Sequence, residues 1–462
     1  VNGSSNLSSN QAVLRFWMIA LTVVLVQLFS PNWAFAQCSL TSGPGPTPWP
    51  TCTTWSGPSW VTVIPRTQSQ SWPQPILAPI DINGDGLTDM YYFTVGSPNT
   101  TAGSGFATNT GSSFSGSSFT STGSDCYTGN FDGSGRTSIV CADSATGTIN
   151  AIWYAHSSGS GFGAFTKTTV SSGQWGNHST SALAGTSNPC LVLDVDGDGT
   201  DDIVCGAPRF AAGPPYIGLG PSASWGVYLS TGNGFTYQTW TGASGGYTMS
   251  PDCVVGDFNG DGLQDLACNW NQSTQWAMLL STGKSWSVQT WTGPSPPSSQ
   301  STCLIVPGTS QQSDCTAPCL VGDFDGDKIS DIACNSAQGQ WMIGFGGGNS
   351  GFKRTATWSG YSGALPYSAR EDCLVADIYG TGRDGILCYA GGGNTATTWS
   401  YDASTGTNFT NTQFSTSWGL AAVGANIAQI CSVGDFNADG IKDIACPLGN
   451  GTWDMGLSSR PN

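Results

Sequence analysis

Carboxylates and amides recur along this 462-residue chain at a spacing suited to holding a cation. In Asp257-Phe-Asn-Gly-Asp-Gly-Leu-Gln-Asp265, oxygen-bearing side chains stand at positions 1, 3, 5 and 9 of a short loop. Alternate side chains converge on one point, position 7 adds its main-chain carbonyl, and Gly at position 6 permits the sharp turn. A donor set made only of oxygen suits a hard cation.

Five stretches carry the whole set. They comprise Asp81, Asn83, Asp85, Leu87 and Asp89; Asp194, Asp196, Asp198, Thr200 and Asp202; Asp257, Asn259, Asp261, Leu263 and Asp265; Asp323, Asp325, Asp327, Ile329 and Asp331; and Asp435, Asn437, Asp439, Ile441 and Asp443. The residue at position 7 is included for its carbonyl alone. Two further stretches are depleted. Asn130–Ser138 keeps one carboxylate, and Asp377–Gly385 has Tyr379, Thr381 and Gly385 where ligands belong. The expectation is about five Ca²⁺ ions, with little or no metal at the depleted pair. Ligand number favours Ca²⁺ over Mg²⁺. An EF-hand is excluded, because position 12 is Tyr92 or a Cys instead of Glu and the flanks read as strands.

The elements that must position these loops repeat with them. The seven loops begin 49, 64, 63, 66, 54 and 58 residues apart. Around the fourth, Cys253–Phe258 and Leu266–Cys268 are short apolar runs, Trp276–Leu280 is a third, and Trp286–Trp291 alternates as a fourth. The third copy repeats the pattern with Trp225–Leu229 and Phe235–Trp240. Four strands in each of seven units predict an all-β, seven-bladed propeller over residues 37–462. The last unit ends after Trp453-Asp-Met-Gly-Leu457 with no fourth strand, whereas Thr54-Trp-Ser-Gly-Pro-Ser59 matches Thr290–Ser295. The N-terminal segment is therefore expected to supply the missing outer strand and close the ring.

The 16 cysteines follow the same register. Pairs 126/141, 190/205, 253/268, 319/334, 373/388 and 431/446 each bracket a loop, 15 residues apart, with Leu77 and Tyr92 at the corresponding places of the first copy. The remaining pairs are 38/52 and 303/315. Zinc would require closer Cys spacing and His partners, and the only histidines are His156 and His178. The reading is disulfides. Arg15, the apolar Phe16–Phe29 and Ala34-Phe-Ala36 predict an export signal over residues 1–36, cleaved before Gln37. About 14 apolar residues is short of the ~20 that span a bilayer.

The formal charge of −16 has a local origin: 21 of the 28 Asp lie inside the loops. That acidity is cage material, and the 13 scattered Lys and Arg give no nucleic-acid footprint. The Asp-Phe-Asn-Gly-Asp-Gly loops and Ile203-Val-Cys-Gly-Ala-Pro208 resemble the FG-GAP/VCBS repeats of integrin α-subunit propellers and secreted bacterial proteins. With Trp-x-x-x-Leu-Ser-Thr-Gly following, the resemblance is closer to the VCBS-type repeats of bacterial toxin-complex and Rhs-type proteins. It covers about residues 53–457. It implies metal in hairpin loops on one face and a ligand on the other face or the rim.

The functional expectation is a secreted binding or adhesion module for a carbohydrate or protein ligand. Its candidate surfaces are the non-repeating connections Gly206–Ser224, Thr292–Pro318 and Ser359–Asp372. One alternative is a polysaccharide-degrading enzyme, but Glu371-Asp372 is the only adjacent acidic pair outside the loops, and neighbours on a strand face opposite ways. No catalytic residue is assigned. The other alternative is a structural part of a secreted toxin-like assembly.

Overall fold

A computed structural model describes residues 41–42, 51–57, 76–93, 104–119, 125–142, 149–173, 190–205, 224–242, 253–269, 274–295, 304–305, 312–313, 319–336, 339–348, 350–360, 373–389, 398–415, 431–447 and 451–458. They belong to one compact unit, Cys38–Asn462. No helix occurs among them, and none is long and apolar enough to cross a membrane.

Each repeat folds into one antiparallel sheet whose strands lie in chain order. Blade 4 is typical, with strands Cys253–Gly256, Asp265–Cys268, Gln275–Ser281 and Trp286–Thr292. The acidic loops join first strands to second. The short apolar runs of the second strand are buried throughout, as in Asp265–Cys268. In the fourth strand burial is confined to the ends, at Trp286 and Trp291, and the rest faces outward.

Tryptophans at fixed places pair across the third and fourth strands: Trp225 with Trp240, Trp276 with Trp291, Trp341 with Trp358. All six are buried. Burying a large side chain of this kind contributes up to about 3 kcal/mol relative to leaving it in water. Their repetition reflects packing between sheets. Seven apolar clusters fill the seven junctions between neighbouring blades, the last joining Phe436, Trp453 and Met455 of blade 7 to Met90, Ala107 and Phe114 of blade 1. The ring of a seven-bladed β-propeller is thereby complete.

Closure occurs as the sequence suggests. Thr51–Ser56 pairs with Thr452–Leu457 as the outer strand of blade 7, and Trp55 lies opposite Trp453. One addition was not foreseen: Thr41–Ser42 lies against Phe414 and Ser415 as a fifth strand on blade 6.

The six loop-bracketing disulfides are formed, with Cα atoms 4.0–4.3 Å apart. They staple directly opposed residues of first and second strands, as at Cys253 and Cys268. Leu77 and Tyr92 occupy the same opposed positions in blade 1. The leader, the 38/52 and 303/315 pairings and most of the three non-repeating connections lie outside the described residues. Within Thr292–Pro318, Leu304–Ile305 pairs with Gln312–Ser313.

Candidate metal centre

Each complete loop is wound around its own acids. The carboxylate at position 1 accepts at least two main-chain N–H groups. Asp257 takes those of Gly260 and Gly262 at 2.7 and 2.9 Å, and Asp194 those of Gly197 and Gly199 at 2.8 and 3.1 Å. Position 5 accepts the N–H of position 7, as Asp261 does from Leu263 at 2.9 Å. These Asx-type bonds curl the chain so that alternate side chains face inward.

The turn needs left-handed backbone at positions 4 and 6. The fifth loop departs from the expected Gly at position 6, with Lys328 at φ 68°, and the seventh carries Ala438 at position 4 with φ 61°. In the fifth loop Lys353 and Arg354 also pair with Asp327 and Asp325 at 3.0 and 3.3 Å.

Position 9 is the anchor. Asp89, Asp202, Asp265, Asp331 and Asp443 are buried. One oxygen of each accepts the N–H of position 2, at 2.9–3.1 Å. The other accepts an N–H at the end of the third strand: from Asn109, Ser230, Ser281, Gly346 or Ser458, at 2.6–3.0 Å. Burial nevertheless dominates their ionisation, aided by the neighbouring loop acids. It pushes Asp89 up to about 6, Asp265, Asp331 and Asp443 up to about 7, and Asp202 up to about 8. A carboxylate offers about four lone-pair sites, so each anchor retains capacity for a cation.

The donors fit such an ion. Carboxylate oxygens of Asp194, Asp196 and Asp202 lie within 4.8 Å of one another, as do those of Asp323, Asp325 and Asp327. In the first, fourth and seventh loops position 3 is Asn, and its amide bonds the Asp at position 5.

The depleted loops keep this shape by other means. In blade 6 position 9 is Gly385, and a side chain there would run into the Tyr401 hydroxyl. That hydroxyl replaces the carboxylate: it accepts the Ile378 N–H at 3.4 Å and donates to the Ala376 carbonyl at 3.0 Å. Blade 2 has a tyrosine at the same place in its third strand. Tyr154 lies opposite Val140 as Tyr401 lies opposite Leu387. Its hydroxyl is 3.2 Å from His156 Nδ1, which also bonds Asp132 at 2.8 Å. Burial pushes Asp132 up, but bonds from Ser134 and His156 outweigh it and hold the carboxyl below its usual range. Complete blades carry Phe106, Val227, Met278, Ile343 and Met455 at this third-strand position. Aligning third strands therefore exposes a signal that reading the loops alone misses.

Position 8 was also missed. Its N–H donates to the position 1 carbonyl of the preceding blade: Thr88 to Asp435, Thr137 to Asp81, Asp201 to Asn130, Gln264 to Asp194, Ser330 to Asp257 and Asp384 to Asp323, at 2.8–3.2 Å. Side chains often return the bond, accepting the position 1 N–H, as Gln264 does from Asp194 at 2.8 Å and Asp384 from Asp323 at 2.9 Å. The cage loops are thus also the seams between blades.

An FG-GAP-like repeat family model matches residues 194–268, the third loop through the end of the fourth blade's second strand. No curated protein matches the chain. Among solved structures, the Photorhabdus luminescens Tc holotoxin pore matches 79% of this chain at 14% identity and a TM-score of 0.39. TcdB2-TccC3 matches 90% at 12% identity and a TM-score of 0.37. The chain spans only 16% and 15% of those two chains. Saccharomyces cerevisiae Sqt1 matches 88% of this chain over its whole length, at 9% identity and a TM-score of 0.41.

Proposed function

We propose that this disulfide-stapled propeller is an exported, calcium-stabilised binding module whose loop acids hold the ring together and whose ligand, a carbohydrate or a protein, meets the non-repeating connections. The observation that carries this reading is the use of the acids. At every complete loop they wind the backbone and pin it to the third strand, and in the third and fifth loops three carboxylates converge as an oxygen-only set. Calcium, when bound, supplies the counter-charge that lets the buried position 9 carboxylates ionise. Asp89, Asp202, Asp265, Asp331 and Asp443 would anchor it, with positions 1, 3 and 5 and the carbonyl of position 7. The six described disulfides fit an oxidising compartment, in keeping with the export signal.

The protein, in calcium, is tested on arrayed glycans and surface proteins and, in parallel, against polysaccharides with product analysis. Retention of a ligand without turnover is the expected outcome. Catalytic depolymerisation would overturn the binding reading.

A further inference from the structure

From the bonds between cage loops we infer that calcium sites on adjacent blades are coupled, in two separate groups: a pair on blades 7 and 1, and a trio on blades 3, 4 and 5. This rests on the calcium reading above. The link is a single peptide unit. Positions 7 and 8 share one peptide, whose carbonyl is the expected metal donor and whose N–H bonds the preceding blade. Thr88 N–H reaches Asp435 at 2.8 Å, Gln264 N–H reaches Asp194 at 3.2 Å, and Ser330 N–H reaches Asp257 at 2.8 Å. In each case the acceptor is the main-chain carbonyl of a position 1 residue whose carboxylate serves the cage of that preceding blade.

A cation drawing on the carbonyl of such a peptide polarises its N–H and strengthens the bond to the neighbour. Ordering the position 1 residue in turn fixes the peptide that lies between two donors of the following loop. Coupling is thus reciprocal between adjacent sites.

The depleted blades interrupt the series. The equivalent bonds from Thr137 to Asp81, Asp201 to Asn130 and Asp384 to Asp323 each have a depleted loop at one end. Blade 2 carries His156 beside Asp132, and in blade 6 the Tyr401 hydroxyl fills the place of the anchor. Among the described residues no bond of this kind joins blades 6 and 7.

The test is calcium release from the loaded protein into a fluorescent chelator, followed by stopped flow. The wild type and the single-site variants Asp261→Asn in the trio and Asp85→Asn in the pair are compared. The wild type should release its ions in two phases of unequal amplitude, the larger from the trio. Asp261→Asn should quicken release of the two remaining trio ions by about fivefold or more and leave the pair unchanged. Asp85→Asn should quicken only its partner on blade 7. Loss of one ion in each variant with all other rates unchanged, or equal quickening of every ion, would overturn the grouping while leaving calcium in place. A wild type that releases no calcium would overturn the calcium reading, and the inference with it. If either variant fails to fold, the wild type still tests the grouping: release in a single phase, or in amplitudes other than three to two, would overturn it.

Discussion

Tyr401 shows how one atom can stand in for a carboxylate. Its hydroxyl sits where an Asp at position 385 would be, and it serves the loop N–H that an Asp serves elsewhere. Tyr401→Phe removes an acceptor from Ile378 and a donor from Ala376 in a buried site, which costs about 1–3 kcal/mol. The expected result is a lower Tm with calcium stoichiometry unchanged, read by calorimetry on the same sample. The five anchoring aspartates face the opposite problem, since they are charged groups in a buried place. Their folded-state pKa values lie above the ~4 of an unfolded Asp. Without metal they therefore contribute stability below about pH 4, and this is lost as pH rises through about 6 to 8. In chelator, Tm should fall as pH is raised from 5 to 8. In calcium the trend should reverse, because protons then compete with the ion. Parallel melts across that range check both signs.

The blade as an element was largely legible, and the reasons are specific. Trp276 and Trp291, or Trp225 and Trp240, mark where strands three and four meet because each ring is buried in the apolar packing between adjacent sheets, whereas blade 2 has Ile152 opposite Thr168 there. The 15-residue Cys spacing marks opposed positions at the root of the loop. Position 8 was opaque because its bond is made by the main chain, so Thr88, Gln264, Ser330 and Asp384 serve alike. Tyr154 and Tyr401 sit 16 residues beyond position 9 of their loops, across a hairpin, and become visible only when blades are superposed. Thr41–Ser42 is too short to carry a pattern. Blade 1 offers a direct test of the element's design. Leu77 and Tyr92 stand at opposed register positions as the six described Cys pairs do, so Leu77→Cys with Tyr92→Cys should form a further loop-bracketing staple. Closing a loop of about 15 residues stabilises by about 3 kcal/mol in the chain-entropy model. Mass spectrometry checks the bond, and a higher Tm than that of the reduced variant checks its effect.

At the scale of the molecule, seven apolar junctions, six described staples and a ring of cage loops hold the propeller together, and the strand that closes it comes from the N-terminal side of the chain. Three carboxylates crowd together in the third and in the fifth loop, so the ring carries repulsion there that counter-charge or protonation relieves. On the proposed calcium reading, a site filled to a hundredfold over its Kd would add about 2.7 kcal/mol. The most direct measurement is thermal unfolding near pH 7.5 of the same preparation in millimolar calcium and in EDTA. Tm should be lower by about 10 °C or more in EDTA and be restored when calcium is returned in excess. An unchanged Tm would contradict the calcium reading.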